Sequence, residues 1–227
     1  MWQDANPTPP WEFKKQVITP VTTSPSAPSV RTNDAEQAGS TLSSEDLLRG
    51  FGGGARFTKS NAATDESGWR KFAPEGEHFS IQVPGSGYES SSSIPAGDTV
   101  ANINYWVADY KGASYLVLWA EGPNLDYTDS SAIESMAAGI ASGLNRGFEK
   151  RGLSLNFDAK RQRALKLDGY GGSQFDLSAT NVPGVMRVFS KQFGKQREVY
   201  IVGVLNATDK NESAQKFLNS LSFKKTQ

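Results

Sequence analysis

The sequence predicts an α+β fold: an antiparallel sheet with helices packed on it, preceded by a long extended N-terminal arm. Three observations carry this. Residues 1–68 are polar and rich in Pro, Ser, Thr and Gly, with no sustained periodicity. From Trp69 onward apolar residues recur at strand or helix spacing. One long amphipathic helical stripe then sits mid-domain, with strand patterns on both sides and a second helical stripe at the end. The domain division read from this is an arm over 1–68 and a globular body over 69–227.

The arm comes first. Pro7, Pro9, Pro10, Pro20, Pro25 and Pro28 block helix and interior strand. Thr19 to Ser29 reads as an extended, solvated linker. Trp2, Trp11 and Phe13 are out of character for such a tail, because large aromatics are depleted from inert linkers and enriched where a segment docks. Docking on another protein, packing back on the body and inertness are the three readings. Ser43 to Gly50 predicts one or two helical turns, with Ser43 as cap and Gly50 as stop. Gly52-Gly53-Gly54 with Lys59-Ser60 is not a phosphate loop, since Thr58 occupies the place of the Gly required before the Lys.

In the body, Phe79, Ile81 and Val83 alternate with polar residues up to Pro84, a half-buried strand. Thr99–Val107 and Ser114–Ala120 read as two central strands joined by a hairpin loop over 109–113. Ser131–Arg151 is the clearest helix. Ser131 and Glu134 form a capping box, and Ile133, Met136, Ile140, Leu144 and Phe148 make one stripe. Gly139, Gly143 and Gly147 lie four apart on an adjacent line, and close internal packing or a partner-facing groove explains such a row. Gln162–Leu167, Gly172–Thr180, Val185–Phe193 and Val199–Leu205 are strands with short links, hence a meander. Asn211–Leu221 carries a helical stripe of Ala214, Phe217, Leu218 and Leu221, with Phe223 as a last anchor.

The run Trp69…Phe79-Ser80-Ile81-Gln82-Val83-Pro84, the mid-domain helix, the meander and the ending Ala214-x-x-Phe217-Leu218-x-Ser220-Leu221-x-Phe223 resemble the PsbP-like group of sandwich domains, including its bacterial lipoprotein branches. The resemblance covers Trp69 to Phe223. It implies a non-enzymatic accessory subunit that binds proteins of a larger, membrane-associated complex, with an extracytoplasmic or membrane-peripheral setting. No functional residue is carried over, because no motif matches position by position. The N-terminal Cys of a lipoprotein is missing, which speaks against direct lipid anchoring.

Composition narrows the chemistry. The chain has 227 residues, 24 Lys+Arg against 24 Asp+Glu, and a mean hydropathy of −0.49. That balance lacks the basic excess nucleic acid demands. With no cysteine there is no disulfide, thiolate or Cys-based metal chemistry. No run of apolar residues is long enough to span a bilayer. Met1-Trp2-Gln3-Asp4 is not a secretory signal, so either none is used or a leader was trimmed and Met1 added. His78, the one histidine, is the sole candidate base for a triad and reads better as a surface residue; no Gly-x-Ser-x-Gly elbow accompanies it. Glu121, Asp126 and Asp129 suit helix capping better than Ca²⁺. The two Asn-x-Ser/Thr sequences at Asn206 and Asn211 are of the kind that arises by chance. No cofactor is expected.

Two binding readings remain. Arg146, Lys150, Arg151, Lys160, Arg161, Arg163 and Lys166 outnumber the local acids, giving either a contact face for an acidic partner or anionic headgroups, or a solvated helix end and hairpin. Tyr105, Trp106, Tyr115 and Trp119 are candidate walls of an apolar ligand pocket. The leading expectation is a non-catalytic subunit that docks through Trp2, Trp11 and Phe13 and through the basic face. An apolar-ligand binder is the alternative, and a hydrolase built on His78 is third.

Overall fold

Two antiparallel meanders meet side by side to make the main sheet. In the computed structural model the described residues are 43, 44, 47, 58–60, 63–96, 99–123, 129–150, 152 and 154–224, excluding the side chains of 94–96, 99, 123 and 129. They belong to one compact unit, Thr41–Gln227. The strands are β1 (Thr58–Ser60), β2 (Trp69–Phe72), β3 (Phe79–Pro84), β4 (Gly87–Ala96), β5 (Thr99–Tyr110), β6 (Ala113–Pro123), β7 (Asp158–Leu167), β8 (Tyr170–Ser178), β9 (Gly184–Phe193), β10 (Gln196–Leu205) and β11 (Ser222–Phe223). The helices are α1 (Asp129–Glu149) and α2 (Glu212–Asn219). Ser44 and Leu47 add a helical turn, with Leu47 N donating to Ser43 O at 3.1 Å.

The eight-stranded sheet runs β1-β4-β5-β6-β10-β9-β8-β7, and a separate three-stranded sheet runs β11-β3-β2. The first meander is β4-β5-β6 and the second β7-β8-β9-β10. They join where β10 pairs with β6 from Gln196↔Pro123 to Leu205↔Ser114. Tight hairpins set the register. Lys111-Gly112 and Asp168-Gly169 hold positive φ at both central residues, the backbone that matches strand twist in a two-residue turn.

The expected α+β sandwich with helices packed on the sheet is overturned. The chain is mostly antiparallel strand, and one face of the main sheet is roofed largely by a second sheet. Two sequence features account for this. Residues 87–96 carry Ser90-Ser91-Ser92-Ser93, which lack the β-branched and aromatic signal of a strand, yet form β4 because β5 lies alongside them from Tyr88↔Val107 to Ala96↔Thr99. Phe79–Pro84 is indeed a strand, but it pairs with β2 and β11 in the roof, not in the main sheet.

Strand alternation divides the apolar residues between two cores. Under the roof, Trp69, Phe72, Phe79, Ile81, Val83, Phe217 and Phe223 pack on Trp106, Tyr115, Val117, Trp119, Tyr200 and Val202. Phe79 stands 5.4 Å from Trp119 and 5.1 Å from Tyr200, ring centroid to centroid. Asn211 caps α2 by accepting from Ala214 N at 3.0 Å. On the opposite face α1 packs on β7, β8 and β9. Its buried line is Ile133, Ala137, Ile140, Ala141, Leu144 and Phe148, whereas Met136 is 38% exposed. The stripe therefore turns through the two alanines, which follow the helical period more closely than Met136 does. The helix begins two residues before Ser131, so the expected capping box is not its start, and Glu134 instead accepts from Arg161 Nη1 at 2.8 Å. Gly139 is exposed with nothing within 4 Å of where a Cβ would stand, so close packing does not explain it.

Upstream of Trp69 the chain is already part of this unit. Leu47 is 1% exposed and packs in the α1-side core. Ser44 N and Oγ donate to Asp109 Oδ1 and Oδ2 at 2.7 and 2.9 Å, and Ser114 Oγ donates to Asp109 Oδ1 at 2.6 Å. Asp109 thus pins the turn at Ser44–Leu47 to the β5–β6 hairpin.

Candidate partner-binding site

The predicted site residues divide. Trp2, Trp11, Phe13 and Arg151 lie outside the described residues. Arg146 is at the C-terminal end of α1, where it donates to Ser142 Oγ at 2.8 Å, and Lys150 follows the helix. Arg161 lies near the opposite end of α1, ion-paired with Glu134, about 18 Å along the helix from Arg146. Lys160 and Arg163 project from the other face of β7. The basic run is therefore not one contact face.

The split has a cause in the strand. β7 closes one edge of the main sheet. Its register shifts between Arg161↔Phe175 and Arg163↔Gln174, leaving Gln162 as an extra residue. This bulge turns Gln162 and Arg163 onto the same face. Gln162 Nε2 donates to Asp176 Oδ2. Arg163 Nη2 donates to Gln174 Oε1 at 3.1 Å, and Arg187 Nε reaches the same oxygen at 3.0 Å. Gln174 is 2% exposed, and its Nε2 donates to Asp209 Oδ2 at 3.1 Å. Arg187 Nη1 also donates to Leu218 O at 2.8 Å, satisfying a carbonyl at the C-terminal end of α2. Burial lowers the Arg187 pKa most; the Arg163 charge lowers it further, and Asp209 partly offsets both.

The opposite edge is built otherwise. β1 pairs with β4 only over Thr58↔Glu89, Lys59↔Tyr88 and Ser60↔Gly87. Among the described residues, no strand pairs with the outer side of β4 from Ser90 to Ala96, a length of about 20 Å. Pro95 lies in this strand, a residue that sheets admit at edges. The side chains there are neutral, with Ser93 Oγ donating to Asn102 Oδ1 at 2.8 Å. Arg70 Nη2 on β2 donates to Ser60 Oγ at 2.9 Å and stands 3.8 Å from Glu89 Oε1, so the roof clamps β1 and the near end of β4.

The aromatic pocket does not assemble. Trp106 and Tyr115 are 0% exposed inside the roofed core, and Tyr105 faces the α1 side. A cavity of about 10 Å³, lined by residues that include Leu47, Leu144 and Met186, lies on that α1 side and has room for at most one water. Trp106 Nε1 and Trp119 Nε1 have no hydrogen-bond partner among the described residues, because the rings around them offer none. Below them, Tyr170 and Tyr200 hydroxyls donate to Glu198 Oε2 at 2.6 and 3.1 Å. Burial, and then the Glu198 carboxylate, push both phenols well above their ordinary value.

His78 is exposed, and its backbone oxygen accepts from Lys224 N at 2.7 Å. Glu121 is exposed on β6, while Asp126 and the Asp129 side chain lie outside the described residues. Among the described residues no three His, Asp or Glu side chains gather as metal ligands, and no helix is long and apolar enough to cross a membrane. The two arrangements that sequence reading missed are the β4 edge and the Arg163–Arg187 pair. The serine run signals the first only weakly; the second depends on a bulge no residue type announces. No protein-family model matches the chain and no curated protein matches it, so the likeness to PsbP-like domains rests on its residue pattern alone.

Proposed function

We propose that this protein is a non-catalytic accessory subunit that binds a polypeptide of a larger, membrane-associated complex. The observation that carries this reading is the outer side of β4: about 20 Å of neutral strand edge beyond Glu89 that no strand among the described residues covers. An unpaired edge offers a row of backbone donors and acceptors to an incoming extended segment, and adding such a strand is a recurrent mode of peptide recognition. The aromatic residues Trp2, Trp11 and Phe13 supply the apolar anchors that strand pairing alone lacks, and burying them would add affinity after the entropy of ordering the arm is met.

The test is made on the complex isolated gently from the native source. Three forms are compared: the full chain, a form starting at Thr41, and the full chain carrying Ser91→Lys with Ser93→Lys. The cut falls at Thr41 because Ser44 and Leu47 belong to the folded unit. The expected result is a large assembly with the full chain, loss of affinity on removing the arm, and loss also with the lysines. Slowed amide exchange at Ser90–Ala96 in the assembly would locate the contact. A full chain that stays monomeric, or an assembly indifferent to the lysines, overturns the reading.

A further inference from the structure

We propose that Arg163 and Arg187, set around Gln174, bind a phosphate group. Both guanidiniums donate to one neutral oxygen, Gln174 Oε1, and among the described residues neither makes an ion pair with a carboxylate. Two cations are therefore held together with one acceptor between them. Asp209 lies behind, on the amide side of Gln174, and Asp176 is engaged by Gln162. Lys160, across the ladder from Asp176, adds positive charge on the same face.

The positions are built rather than incidental. Gln174 is buried, so its oxygen is a fixed reference point. Arg187 is half-buried and held at a second point by Leu218 O. Arg163 is exposed and is brought to this face by the bulge at Gln162. Each guanidinium presents five N–H donors, of which the contacts named use one on Arg163 and two on Arg187. A carboxylate would neutralise one fork. A phosphate dianion carries enough charge and enough oxygens for both, which is the chemistry that favours arginine.

The site stands at the β7 end of the sheet, opposite β4, so it is independent of the strand-edge reading. The full chain is titrated with inorganic phosphate, against sodium chloride at matched ionic strength, and followed by ³¹P line broadening and thermal unfolding. The expected result is a saturable signal specific to phosphate that weakens at least tenfold in Arg163→Gln and is kept in Arg161→Gln. The second variant removes the same charge from the same strand on the other face. O-phosphoserine titrated in parallel separates the sources: tighter binding than phosphate points to a phosphorylated side chain, and equal or weaker binding to the free ion. A response no larger than that to chloride, or an equal loss in both variants, overturns the proposal.

Discussion

The two edges of the main sheet solve one problem in opposite ways. β7 carries Lys160, Arg161, Arg163 and Lys166 and a bulge, devices that keep strand edges from pairing with other chains. β4 carries serines, no charge beyond Glu89, and, among the described residues, a three-residue partner that covers only its near end. The charged run that looked most like a contact surface thus lies on a strand built as edges are protected, while the run of serines has no strand on its outer side among the described residues. Charge in a strand has to be read against where the strand sits in the sheet, and that position is a tertiary fact.

Substitutions at and near the edges sharpen or break this contrast. The largest effect is expected at Gly87, at the near end of β4. A Cβ there would stand 2.5 Å from the Trp106 ring and 2.6 Å from Val107 O, so Gly87→Ala should cost about 2–3 kcal/mol in urea unfolding. Gly172, on the strand beside β7, meets Phe189 at 2.5 Å in the same way. An equal loss there would mean that both edges are anchored through glycine–aromatic packing and differ only in their outer sides.

Next comes Asp109→Ala, which removes the acceptor of three hydrogen bonds and should cost about 1–2 kcal/mol. Because Asp109 fixes the segment leading into β1, amide exchange should speed up at Thr58–Ser60 and Gly87–Glu89 but not in β7. Uniform acceleration would instead mean that the β4 edge is not separately tethered.

A third effect depends on pH. Tyr170 and Tyr200 ionise in the unfolded chain near pH 10 but are held neutral in the fold, so their contribution is intact below pH 10 and is lost as pH rises above it. The expected slope is about 1.4 kcal/mol per pH unit for each tyrosine. Tyr170→Phe should flatten the alkaline limb of a stability profile, and an unchanged limb would show that Tyr170 is not the group responsible. The smallest effect belongs to Arg161→Ala. Its ion pair with Glu134 is surface-exposed, so a loss of at most about 0.5 kcal/mol is expected from denaturation midpoints.

Much of the local structure was legible. The second meander runs in the order its turn residues indicate, and Phe79, Ile81 and Val83 are all buried as their alternation requires. What could not be read is partnership. Nothing in Trp69–Phe72 or Ser222–Phe223 says that these segments will flank Phe79–Pro84 in a sheet of their own. Tyr105 and Trp106 look like neighbours in a pocket wall, but consecutive strand residues face opposite sides, and only the roof shows which side each has. At the candidate sites the difficulty is the same. Arg163 meets Arg187 and Gln174 through one extra residue, and the outer side of β4 beyond Glu89 has no strand beside it among the described residues because β1 begins only at Thr58.

The seam between β6 and β10 also has a consequence for synthesis. β6 emerges from the ribosome with Leu116, Val117, Leu118 and Trp119 in it, and the strand that will cover its second side, β10, follows only after α1 and three further strands. Until then the first meander presents its most apolar strand as a bare flank. Pairing that depends on contacts so distant in sequence is slow, and half-made sheets of this kind are prone to aggregate. Expression of a chain that stops at Glu149 should therefore yield insoluble material or a chaperone-bound species, while the full chain closes its own seam once Leu205 has been made.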